Sequence, residues 1–155
     1  VAVLYVGAPS EVEMKEKKDR VDDALHATQA AVEEGIVAGG GVALVRASRA
    51  LDNDDYDERL APGVNIVRSA CLAPFKQIII NTGATPDLAL EKIQSMPDTH
   101  GYNAFEEVFG DMFEMGIIDP AKVVRTALEN ASSTASMMLT VGCAMVEEPD
   151  NTDLV

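Results

Sequence analysis

Hydrophobic positions along this chain change period several times. The opening VAVLYVGA (Val1–Ala8) is apolar without a helical repeat, and predicts a strand ending at Gly7. From Ser10 the pattern is helical. Ser10 with Glu13 three residues on is a capping box, and Val21, Leu25, Thr28 and Val32 recur at steps of four, three and four. This predicts a helix from about Glu11 to Glu34, stopped by Gly35. Gly39–Gly41 opens a second helix reaching about Leu51. The acidic stretch Asp52–Gly63 predicts a surface loop.

Val64–Ile80 predicts a third helix, with a kink or break at Pro74 and a stop at Asn81–Gly83. Thr85 as N-cap and Pro86 in the first helical position predict a short helix to about Met96. Pro97–Gly101 predicts a turn, and a helix near Glu106–Met115 should end at Gly116. Asp119 as N-cap, with Pro120 behind it, leads a long buried helix whose stripe is Val124, Leu128, Ala131, Ala135 and Met138. Cys143–Glu148 predicts a short final strand, followed by a frayed tail, Pro149–Val155. The expected fold class is mainly α, a multi-helical bundle with short β-strands near both ends. Neither end strand has an evident partner in the sequence, so both are expected to pair with chain outside the segment or in another subunit. The first residue is Val, inside a predicted strand, which suggests that the segment starts within a larger structure.

A core drawn from Ala, Val, Ile, Leu and Met, with 5% aromatics and no Trp, fits closely packed helices. The formal net charge of −14 argues against a nucleic-acid surface, which needs Lys and Arg patches, and disfavours an anionic membrane. The apolar runs, that around Gln77–Ile80 included, are far short of a membrane span, and no signal peptide is evident. Cys71 and Cys143 lie in apolar segments and read as free buried thiols of a reducing compartment.

Only His26 and His100 are available as imidazole ligands and no Cys pair has ligand spacing, so no zinc site is expected. A G-x-S-x-G nucleophile motif and a Walker A loop are both missing; Val42, not Lys, follows the glycines. Three features remain, each with two readings. Asp23 lies about 200° around the helix from Val21, with Ala27 and Ala30 beside it. It is either a solvated side chain, like Asp22, or a carboxylate left open to an approaching group. Gly39–Gly41 either permits a tight helix approach or presents backbone N–H groups to an anion. Asp119 either caps a helix or accepts hydrogen bonds from a ligand hydroxyl.

Taken whole, EVEMKEKKDRVDDALHATQAAVEEGIVAGGGVAL, GYNAFEEVFGDMFEMGIIDPAKVVRTALENASS and the closing CAMVEE closely resemble the GroEL-type (group I) chaperonins. The resemblance covers nearly the whole chain and is weakest at Asp52–Pro62. It implies an ATP-driven chaperone working as stacked, heptameric double rings with a co-chaperonin lid. It also implies the C-terminal portion of such a subunit. Residues 1–33 would be the returning half of the hinge-like intermediate domain, and 34–155 the C-terminal part of the helical equatorial ATP-binding domain. The apical domain, which holds clients and co-chaperonin, and the phosphate loop with its Mg2+ carboxylate would lie outside it.

By this resemblance Asp23 would help to activate the attacking water. Gly40, with Gly39, would approach the nucleotide, Asn103 and Ala104 would line the adenine pocket, Asp119 would bind the ribose side, and Ile117 would pack on the base. ATP, Mg2+ and K+ are the implied ligands, and a bacterial cytoplasm the implied location, with an organellar matrix or stroma as the alternative. Phe105 departs from the family pattern, where a small residue borders the adenine. Gln29 stands where Arg is common, and the spacing near Val141–Ala144 is one residue longer. A rival reading is a truncated fragment or paralogue acting as a structural or oligomerisation module without ATPase activity.

Overall fold

The structure is a computed structural model that describes residues 2–52 and 56–146. It is mainly helical, as expected, and divides into two compact units meeting at residues 124 and 125.

In the first unit, α1 spans Glu11–Glu34, and Glu13 N–H donates to the Ser10 hydroxyl at 3.3 Å, the first half of the predicted capping box. Gly35 closes the helix with φ 82° and donates its N–H to Ala31 O. The predicted apolar stripe is not the packing face: Val32 is 83% exposed and Leu25 is exposed too. The helix lies against a later strand, β4, and the partly buried side chains of its second half are Ala27, Ala30 and Ala31. Small side chains allow a strand to come that close. Of the predicted stripe Val21 is partly buried, while Leu25 and Val32 are exposed.

Strand β1 (Ile36–Ala38) follows α1 directly. The expected second helix is split into α2 (Val42–Ala47) and a 3-10 turn over Ser48–Leu51. Helix α3 runs unbroken from Ala61 to Asn81 with Pro74 inside it, so the predicted break does not occur. Cys71, Phe75 and Ile79, at steps of four, form its buried face. Helix α4 (Pro86–Gln94) has Thr85 at its N-cap position, but the hydroxyl makes no capping hydrogen bond.

The helix expected near Glu106–Met115 is instead a β-hairpin. Strands β2 (His100–Asn103) and β3 (Val108–Asp111) pair antiparallel, His100 opposite Asp111 and Asn103 opposite Val108. Gly101 decides this: a Cβ there would stand 2.5 Å from Val42 Cγ2 and 2.7 Å from Met112 Sδ, so an extended glycine seats this segment on the core. Strand β4 (Ile118–Pro120) pairs antiparallel with β1. Asp119 is thus extended chain inside a ladder. Helix α5 starts at Ala121, after Pro120, so Asp119 lies too far upstream to cap it. Val42, Val45, Phe75, Ile79, Ile93 and Met112 are the fully buried centre of the core.

Helix α5 spans Ala121–Leu139, and its residues past 124 belong to the second unit. The expectation of a long buried helix fails: none of its residues is buried, and Met138 is 70% exposed. Of its apolar stripe, Val124 and Leu128 are half-buried, and Ala131, Ala135 and Met138 are exposed. Residues 2–8 and 143–146 form no ladder among the described residues; the strands expected there call for partners outside the segment or in another subunit. Glu147, Glu148 and the tail lie outside the described residues. Cys143 is exposed rather than buried, while Cys71 is buried.

Candidate functional site

The β1–β4 ladder gathers most of the singled-out residues. Ile36 pairs with Pro120, Val37 with Asp119 and Ala38 with Ile118. Past the strand, Gly39 N–H donates to Ile117 O at 3.0 Å, and at the other end Ala121 N–H donates to Gly35 O at 3.0 Å. Gly39 and Ile117 are therefore direct neighbours, with Asp119 two residues further along β4.

Each glycine of the run meets a different wall. A Cβ on Gly39 would stand 3.1 Å from the carbonyl carbon and oxygen of Ile117. On Gly41 (φ 78°) it would stand 2.7 Å from the Phe75 backbone nitrogen. Between them, Gly40 (φ 64°) faces Met112 Cε at 3.1 Å and Tyr102 O at 3.8 Å. Close approach and left-handed backbone thus account for three adjacent glycines. The same turn lies next to the Tyr102 carbonyl, one residue before Asn103.

Asn103 ends β2 and closes the hairpin turn. Its Oδ1 accepts from Phe105 N–H at 3.0 Å and Glu106 N–H at 3.3 Å, and its Nδ2 donates to Glu106 Oε2 at 3.3 Å. Ala104 and Ile117 are half-buried against the core. The Phe105 ring is 95% exposed. Asp119 is half-buried, and burial pushes its carboxyl above the usual range. No hydrogen bond or ion pair joins its side chain to the described residues.

Gly39, Gly40, Ile117 and Asp119 therefore form one group, with Asn103 and Ala104 beside it. Asp23 is not part of it. It lies exposed on α1, about two helical turns before the partly buried Ala30 and Ala31. Asp22 is exposed likewise. Two surface hollows, one bordered by Leu4, Met14 and Lys18 and one by Leu88, Lys92, Tyr102 and Phe109, include none of these residues.

Two polar clusters near the site are not anticipated by the sequence reading. In the first, Thr99 Oγ1 donates to Asp111 Oδ2 at 2.5 Å, and Phe113 and Glu114 N–H donate to Asp111 Oδ1 at 2.8 and 3.2 Å. The Thr99 bond above all, then the backbone donors and His100, holds the Asp111 carboxyl below its usual range. This cluster orders the turn leading to Ile117. Its sequence signal is an Asp two and three residues ahead of the N–H groups it caps. In the second, Arg46 and Arg49 grip the end of α4. Their partners are distant backbone carbonyls and, for Arg49, also the Asp98 carboxylate, none of which is signalled by local sequence.

Residues 1–149 match the family model described as the TCP-1/cpn60 chaperonin family. No helix among the described residues is long and apolar enough to cross a membrane.

Proposed function

The chain belongs to the TCP-1/cpn60 chaperonin family, and we propose that it is the C-terminal portion of a group I subunit that couples ATP hydrolysis to protein folding. Membership of the family supports a chaperone role. In this reading residues 1–33 return through the hinge-like intermediate domain and 34–155 complete the equatorial domain. The subunits assemble as stacked heptameric rings in a bacterial cytoplasm, or in an organellar matrix or stroma. Clients and the co-chaperonin lid bind elsewhere in the subunit.

The observation that carries the nucleotide reading is Asp119. A half-buried carboxyl with no partner among the described residues lies two residues along the chain from Ile117, which is bonded to the glycine turn. Burying an unpaired carboxylate is unfavourable, and donation from ribose hydroxyls would relieve it. Gly39 and Gly40 would let the nucleotide approach the backbone, Ile117 would pack on the base, and Asn103 and Ala104 would border the adenine. Asp23, on a helix of the hinge-like domain, would reach the attacking water only on closure, so hydrolysis would wait for that movement. Mg2+, when bound, neutralises charge on the phosphates. Among the described residues no three His, Cys, Asp or Glu side chains converge as metal ligands, so no step for Mg2+ or K+ is assigned to this chain.

Asp23→Ala in the full-length protein tests this. ATP binding measured calorimetrically should persist while turnover falls by about two orders of magnitude or more. Turnover near that of the wild type would remove Asp23 from the mechanism. A wild-type protein that neither binds nor hydrolyses ATP would favour the structural-module reading.

A further inference from the structure

We propose that Arg46 is a positioning residue that fixes the separation between the glycine turn and the Asn103–Ala104 strand end. This rests on the nucleotide reading above, in which both segments border the ligand.

Helix α2 begins directly after Gly41 and has only six residues. Two side chains on one face of it, Val42 and Arg46, lock it to β2. Val42 Cγ2 packs so close to Gly101 that a Cβ there would stand 2.5 Å from it. One turn later, the Arg46 side chain is only 11% exposed. Its Nη2 donates to Ile93 O at 2.8 Å, Pro97 O at 2.8 Å and His100 O at 3.3 Å. These carbonyls belong to the last turn of α4, the connecting turn and the first residue of β2. Pro97 O also accepts from His100 N–H at 3.0 Å, so the carbonyl that Arg46 holds also sets the entry into β2. Arg49, three residues on, donates to Gln94 O at 2.9 Å and pairs with Asp98 at 2.9 Å. Cations suit this place, because the final carbonyls of a helix lack intrahelical donors and the helix dipole is negative there.

Stability alone does not call for this arrangement. Arg46 Nε lies 3.6 Å from Asp98 Oδ1, and neither Nε nor Nη1 finds a hydrogen bond among the described residues although both are buried. Buried donors without acceptors are unfavourable, and an apolar side chain would fill the same volume without them. What the guanidinium adds is one rigid head reaching three backbone segments. It ties the helix after the glycine turn to the start of the strand ending at Asn103.

The test uses the full-length protein with Arg46→Met, which keeps an unbranched apolar stem without charge, and Arg46→Lys, which keeps the charge but not the planar fork of donors. Binding of ATP and of inorganic triphosphate is measured for each, with circular dichroism to verify folding. Arg46→Met should lose about tenfold or more in ATP affinity while triphosphate affinity changes by less than about twofold. Arg46→Lys should recover part of the ATP loss. Equal losses for both ligands, or no loss for either, would overturn the proposal. If Arg46→Met fails to fold, Arg46→Lys alone decides it by the same split at smaller size. A wild-type protein that binds neither ligand refutes the nucleotide reading. Positioning is then judged by amide exchange: faster exchange at His100 and Met112 with α3 unchanged upholds it, and unchanged exchange refutes it.

Discussion

Gly39 and Ile117 are joined backbone to backbone, with an N–H to carbonyl bond of 3.0 Å and little room for a side chain on the glycine. The glycine turn is thus a packing joint first, and any ligand role is built on that joint. The demand is greatest at Gly41, where left-handed φ coincides with the Phe75 backbone 2.7 Å from any added Cβ. Gly41→Ala should destabilise the fold by about 2–5 kcal/mol, combining strain and overpacking. Gly63→Ala, on α3 with open space around it, should be neutral or stabilising by roughly 0.4–1 kcal/mol. Urea denaturation of both variants checks the contrast, and equal stabilities would contradict it.

Asp119 should make stability fall as pH rises. Burial raises its folded-state pKa, so between the ordinary carboxylate value of about 3.9 and the raised value the folded state binds more protons than the unfolded one. Asp119→Asn removes that dependence. The variant should be the more stable at neutral pH, and the gap should close as pH falls toward about 4. Thermal melts across the pH range read this directly. A variant less stable than the wild type at neutral pH would show that the carboxylate is stabilised by the fold after all.

Asp111 should act with the opposite sign. Its pKa is lowered, chiefly by the Thr99 hydroxyl, so its contribution is present above the ordinary carboxylate range and is lost as pH falls through the folded value. Thr99→Val removes the donor and nearly keeps the shape. The Asp111 carboxyl should then titrate higher by carbon-detected NMR, and the acid limb of the stability profile should move up with it. An unmoved titration would leave the backbone donors as the controlling interaction.

These polar details mark where the sequence stops being legible. Helix α1 can be read to the residue, because Ser10, Glu13 and Gly35 act within a few positions of the ends they define. The hairpin of β2 and β3 cannot, because its cause is the distance from Gly101 to Val42, which are far apart in sequence. Periodicity identifies a face but not its cover. Leu25 and Val32 mark an apolar stripe on α1, while the contact with β4 runs through alanines. At the site, Asp119 and the glycines stand out by residue type. Arg46 does not, since an arginine that bonds only carbonyls looks like any surface arginine in a sequence.

The two cysteines offer a probe of the surfaces left uncovered. Cys71 is 3% exposed on the buried face of α3, and burial raises its thiol pKa, which lowers the thiolate fraction available to attack a reagent. Cys143 is exposed, close to Met145 and Val146, which are 98% and 88% exposed. A thiol reagent should label Cys143 quickly in the dissociated protein and reach Cys71 only on unfolding. If Cys143–Glu148 adds as a strand to a neighbouring subunit, as the proposed ring requires, assembly should protect Cys143 while leaving Cys71 unchanged. Deleting the chain from Cys143 onward should then impair ring formation. Normal rings after deletion, or equally fast Cys143 labelling in both states, would remove this segment from the subunit interface and leave its exposed apolar side chains without that explanation.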